Sequence, residues 1–177
     1  VGDTRRGGSC NVAELSLVPH CNGTHTETVH HLCDQPTFIS DVLIQALFPA
    51  CLISIQPVPA EETDDRYRPA LAVEDRVITG KMLEVALQMV PDELLRALIL
   101  RTLPNGDWKQ SAAYGEGCIP PFLTLEAAHY LAARGVEHLL VDIPSVDRMY
   151  DDGKLSVHRV FWNLPQKGHQ QSDECWH

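Results

Sequence analysis

The chain has 177 residues, enough for one domain with a buried core, and 24 acidic against 14 basic residues give it a formal net charge of −10. That balance argues against a nucleic-acid-binding surface, which needs clustered Lys and Arg, and no apolar run approaches the roughly 18 residues of a membrane span. Six scattered cysteines (Cys10, Cys21, Cys33, Cys51, Cys118 and Cys175) form no CxxC pair, and no charged-then-apolar leader opens the chain. They read as reduced thiols of a cytoplasmic protein.

Val1 to Cys10 is polar and Gly-rich and reads as a loop or arm. Asn11 to Pro19 (NVAELSLVP) alternates apolar and polar residues, which predicts a strand. A His-rich segment follows. Asp34 to Thr37 is a helix-start signal, and Phe38 to Phe48 (FISDVLIQALF) has helical spacing. Cys51 to Val58 reads as a buried strand ended by prolines, and Ala60 to Pro69 (AEETDDRYRP) as a solvated acidic loop. Glu74 to Val90 has helical character despite Gly80. Leu95 to Thr102 is a strand, and Leu103 to Pro121, rich in Gly and Pro, a long loop of the kind that carries function.

Thr124 to Arg134 (TLEAAHYLAAR) is a helix with Thr124 as its N-cap and Gly135 at its end. Val136 to Ile143 (VEHLLVDI) is then a strand of the helix-to-strand kind, with Asp142 at its C-terminal end, where α/β folds place active sites. Leu155 to Trp162 starts another helix. The class is α/β, in one domain over residues 1–177. The loops 60–69 and 103–121 are candidate walls of a pocket, with Tyr67, Trp108, Tyr114, Phe122 and Trp162 as candidate aromatic contacts or packing residues.

Four of the twelve residues of HCNGTHTETVHH, His20 to His31, are histidines, with Cys21 and Glu27 among them. On an extended segment His25 and Glu27, two apart, point to one side. Cys21 lies four before His25, with Gly23 between them, and His31 four after Glu27. Imidazole, carboxylate and thiolate together suit zinc or a similar divalent cation. The competing reading is a loop of solvated histidines that binds nothing. On an extended chain His20 and His30 would point away from the ligands. His129 and His138 read as structural, and Arg101 as a carboxylate-recognition residue or a structural ion pair.

GTHTE, followed by His31, resembles the signature of the cyclase-like metal-dependent hydrolases, the family of bacterial kynurenine formamidases and isatin hydrolases, which reads His-x-Gly-Thr-His-x-Asp-x-Pro-x-His. Aligned on Gly23, Thr24 and His25, Cys21 takes the first His, His25 the second, Glu27 the Asp and His31 the last His; Val29 replaces the Pro. LLVDIPSVDR (Leu139 to Arg148) is similar to the family's I-D-x-P-S-x-D segment, and His158 in KLSVHRVFW to its late metal-binding His. The resemblance touches most of the chain from about residue 10 to 163.

The resemblance implies a swivelling β/β/α-type fold, with a mixed, barrel-like sheet flanked by helices, assembled as a homodimer or homotetramer. It implies hydrolysis of an amide, formamide or lactam-type C–N bond of a small molecule by metal-activated water. Cys21, His25, Glu27 and His158 would hold zinc or manganese, with His20 able to stand in for Cys21 after a small backbone shift. His31 would be the general base, with Asp142, Ser145 and Asp147 in support and Arg101 and Trp162 at the substrate. A late family glutamate corresponds to Glu174 or lies beyond the chain, and family strands ahead of the region where the chain begins and one C-terminal strand are expected to be missing. The alternative is a degenerate, non-catalytic relative that binds a metal or a small carboxylate.

Overall fold

The computed structural model describes residues 2–45 and 47–170. In chain order its regular elements are α1 (Pro19–Asn22), α2 (Ile39–Val42), β1 (Ala50–Ile55), β2 (Val58–Pro59), β3 (Arg76–Ile78), α3 (Gly80–Leu87), β4 (Ala97–Thr102), β5 (Phe122–Leu123), α4 (Leu125–Ala133), β6 (His138–Val141) and α5 (Ser156–Phe161), with short 3-10 turns between. Strands β1, β4 and β6 form one parallel sheet in that spatial order; β2, β3 and β5 form a second, mixed one. The result is a mixed α/β fold, and neither sheet closes into a barrel. Among the described residues, no helix is long and apolar enough to cross a membrane.

The central strand β4 (ALILRT) reads as a near-continuous apolar run because its neighbours bury it. In register, Cys51–Leu98–Leu139 and Ile53–Leu100–Val141 line one face of the parallel sheet. The main core gathers this face with Val77, Ile78, Phe122, Leu83, Leu87, Ala127, Ala128 and Leu131. On α4 the buried positions 127, 128 and 131 follow the helical period while His129 stays exposed. The Thr124 hydroxyl caps α4 by accepting from Ala127 N, and Gly135 takes the left-handed φ of +72° that stops it.

A smaller, separate core joins two distant stretches: Val29, Leu32 and Cys33 pack with Trp162 and Leu164. This cluster seats the His-rich segment against α5.

Several elements differ from expectation. Asn11 to Pro19 is exposed throughout and forms no strand, because no sheet edge pairs with it. Only Ile39–Val42 of the stretch 38–48 is helical among the described residues. The helical reading of 74–90 hides β3 in its first half. The acidic loop 60–69 is not wholly solvated, since Tyr67 is buried within it. Among the described cysteines, Cys10, Cys21, Cys33, Cys51 and Cys118 are free thiols.

Candidate metal centre

The His-rich segment reaches its geometry through local turns. Pro19 occupies the first turn of α1, where a missing N–H costs nothing. The helical turn brings the His20 ring toward Glu27, which the extended-chain expectation did not allow. Further on, the Thr28 hydroxyl accepts from His30 N at 3.3 Å and donates to Thr37 O at 2.5 Å, fixing the turn Val29–His31. That turn buries Val29 in the smaller core and leaves His31 facing Glu27.

Four imidazoles converge on the Glu27 carboxylate. Its Oε2 lies 3.3 Å from His20 Nε2, 3.7 Å from His25 Nε2 and 3.9 Å from His31 Nε2. Its Oε1 lies 2.9 Å from His158 Nε2, across 131 residues of sequence. The candidate ligand atoms of His20, His25 and Glu27 all fall within 4.8 Å of one another. His25 Nδ1 lies 2.9 Å from the Gly23 carbonyl, and donation there leaves Nε2 free to act as a ligand. The rings of His20 and His31 stack at 4.2 Å, and Trp162 flanks His158 at 5.3 Å between ring centroids.

Behind His158 stands Asp147, almost wholly buried. Its Oδ2 accepts from His158 Nδ1 at 2.5 Å and from His158 N at 3.1 Å; its Oδ1 accepts from Val157 N at 2.8 Å and from the Tyr67 hydroxyl at 2.6 Å. Helix α5 has no side-chain cap of its own, since Leu155 precedes it. Asp147 satisfies two of the orphan N–H groups in its first turn and places negative charge at its positive end. The Ser145 hydroxyl in turn accepts from Asp147 N at 3.1 Å.

The charges follow from this packing. Burial disfavours the His158 cation, but the bonds to Asp147 and Glu27 outweigh it and lift the imidazole pKa to about 9. Burial likewise works to raise both carboxyls, and the bond and charge of His158 hold Glu27 and Asp147 below the usual range. His31 moves the other way: burial, together with the neighbouring histidines, pushes it down against the pull of Glu27, which leaves it neutral at physiological pH.

The remaining candidates are placed elsewhere or stand apart. Cys21 is exposed and lies outside the group of His20, His25 and Glu27. His30 turns away, with Nδ1 at 3.0 and 3.1 Å from the carbonyls of Cys33 and Gln35. Asp142 sits at the end of β6, bonded to Thr102 N and Oγ1 and to Lys109 Nζ at 2.6 Å, a tie that anchors the loop after β4. Arg101 donates to Ser54 Oγ on the neighbouring strand at 2.7 and 2.9 Å. Glu174 lies outside the described residues. Tyr67 belongs to the Asp147 network, and its only advance signal was an aromatic residue in an otherwise acidic loop.

A carboxylate ringed by imidazole nitrogens, with one imidazole oriented by a buried second carboxylate, is a donor set suited to a divalent cation such as zinc or manganese. Ionised Glu27 supplies the negative charge such a cation needs.

The chain is 27% identical over 151 residues to a kynurenine formamidase of Bacillus cytotoxicus, an alignment that takes in 85% of this chain and 59% of that protein. The chain thus spans less than two thirds of that relative's length. No solved structure matches the chain. Residues 5–148 match the Cyclase family model, a span holding the whole His-rich segment and Asp147, and the chain belongs to that family.

Proposed function

We propose that this chain is a metal-dependent hydrolase that cleaves an amide, formamide or lactam-type C–N bond of a small molecule, in the manner of an arylformamidase. One observation carries the reading: the Nε2 atoms of His20, His25, His31 and His158 all lie within 4 Å of the Glu27 carboxylate. His25, Glu27 and, on release of its Nε2 proton, His158 would hold the cation, with His20 in the role that the family pattern gives to Cys21. A divalent cation there, zinc before manganese, would polarise the scissile carbonyl and lower the pKa of water. His31, neutral and partly exposed, takes the water proton on Nε2 as the water oxygen bonds to the carbonyl carbon. As the C–N bond breaks, the same atom returns the proton to the leaving nitrogen. Trp162 and the long loops would exclude solvent. On this reading the chain is a single domain of the swivelling β/β/α type that would assemble as a cytoplasmic homodimer or homotetramer and take a small-molecule substrate rather than a nucleic-acid or membrane partner.

Cys21, standing where the family pattern has a His, favours a second reading, a relative that holds a metal or a small carboxylate without turnover. Elemental analysis with a panel of aryl formamides and lactams separates the two. About one equivalent of bound cation, lost in His25→Ala, with hydrolysis lost alongside it, supports the hydrolase. Bound cation without hydrolysis supports the second reading; no cation after reconstitution overturns the hydrolase and leaves of the second reading only its small-carboxylate form.

A further inference from the structure

We infer that Tyr67 is a positioning residue for the metal centre: its hydroxyl fixes the Asp147 carboxylate, and through it the orientation of the His158 ring. The inference rests on the proposed metal reading. Tyr67 comes from the loop between β2 and β3, 80 residues before Asp147 in sequence, and is only 3% exposed.

The Tyr67 hydroxyl donates to Asp147 Oδ1 at 2.6 Å and accepts from Arg148 N at 3.0 Å, so both of its hydrogen-bonding roles are engaged. The ring packs edge-on against Phe122 of the main core at 5.2 Å, which anchors the hydroxyl to a rigid sheet. Asp147 needs such an anchor. Its other three donors, Val157 N, His158 N and His158 Nδ1, all belong to α5, so Tyr67 is the contact that ties the carboxylate to a separate part of the fold. Burial and the adjacent Asp147 carboxylate push the phenol far above its ordinary pKa, so it stays protonated and a permanent donor. Without the hydroxyl, Asp147 keeps its bonds to α5 but can turn with that helix. The Nδ1 bond that sets the His158 tautomer then loses its fixed reference, and Nε2 its aim at Glu27.

The test is equilibrium titration of cobalt(II) into the metal-free full chain, its Tyr67→Phe variant and its Leu87→Ala variant, followed by visible absorption and chelator competition. Tyr67→Phe keeps the ring and its packing. It is expected to weaken cobalt binding about tenfold, the lower end for loss of a supporting bond behind a ligand, and to shift the visible bands. Leu87→Ala, a fully buried position on α3 with no bond to the Asp147 network, should lower the melting temperature and leave affinity and spectrum as in the parent. Parental affinity and spectrum in Tyr67→Phe, or equal weakening in Leu87→Ala, would overturn the role of Tyr67 while leaving the metal reading standing. A parent that binds no cobalt would overturn both. Independently of any variant, zinc added to the parent should shift the Tyr67 side-chain NMR signals; unmoved signals would also sink the inference.

Discussion

Asp147→Asn is the most informative single change, because one carboxylate serves both the fold and the site. Asp147 accepts four hydrogen bonds, two on each oxygen. An amide keeps one acceptor oxygen and replaces the other with a donor NH2. Whichever way it turns, two buried donors face another donor: either Tyr67 OH and Val157 N, or His158 N and Nδ1. Each orphaned group costs about 1–3 kcal/mol, and removing one member of a buried charged pair costs about 3–5 kcal/mol. We therefore expect a loss of about 3–5 kcal/mol, which for a chain of this size lowers the melting temperature by roughly 6–20 °C. If the amide oxygen stays with Val157 and Tyr67, His158 must give up its Nδ1 proton and keep one on Nε2, the atom facing Glu27. Zinc affinity should then fall by about 10–100-fold. Calorimetry on metal-free protein and competition titration with zinc read the two effects separately. A melting temperature within about 3 °C of the parent together with unchanged zinc affinity would refute the reasoning on both counts.

Two further substitutions probe the scaffold. Gly80→Ala would ordinarily stabilise a helix by about 0.5–1 kcal/mol, but a Cβ at Gly80 would lie 3.1 Å from the backbone C and O of Glu126, where α3 meets α4; urea denaturation should show a net loss of about 1–2 kcal/mol, and a stabilised variant would mean that the helices can part freely. At Asp142, burial works to raise the carboxyl pKa, but the bonds from Lys109 and Thr102 outweigh it and hold the group low. A depressed folded pKa contributes stability above the unfolded value of about 3.9 that is lost as pH falls through the folded one. Asp142→Asn should therefore melt below the parent at pH 7, and the gap should close in melts taken progressively below about pH 4; a gap that persists at the lowest pH would show that geometry, not charge, does the holding.

What was legible in the sequence depended on how locally each feature is determined. α4 carries its own cap at Thr124, its own stop at Gly135 and a helical apolar period, so it could be placed to within a residue. β4 could be read from six residues of aliphatic character. Asn11 to Pro19 has an equally clean alternation, yet a strand exists only where another strand accepts its N–H groups, and that depends on the rest of the fold. β3 was hidden because its three residues, Arg76–Ile78, run directly into Thr79, the cap of α3, and the periodicity of one element masked the other.

The site divides along the same line. His25, Glu27 and His31 sit within seven residues and announce themselves by spacing. For His20 two readings stood open, a bystander on an extended chain or a stand-in for Cys21, and the structure brings its ring to Glu27 because Pro19 starts a helical turn. Asp147 could be picked out only as part of a motif, and its task was invisible: it caps α5 from outside that helix, and no capping residue precedes α5 to hint at the need. The burial of Val29, Leu32 and Cys33 was not read from the sequence, because their partners Trp162 and Leu164 lie some 130 residues on. That small core brings the two halves of the site together. Its packing brings Glu27 to His158, while Asp147 holds α5 at the matching height, so cation affinity should track the integrity of this satellite cluster more closely than that of the larger core beneath the sheet.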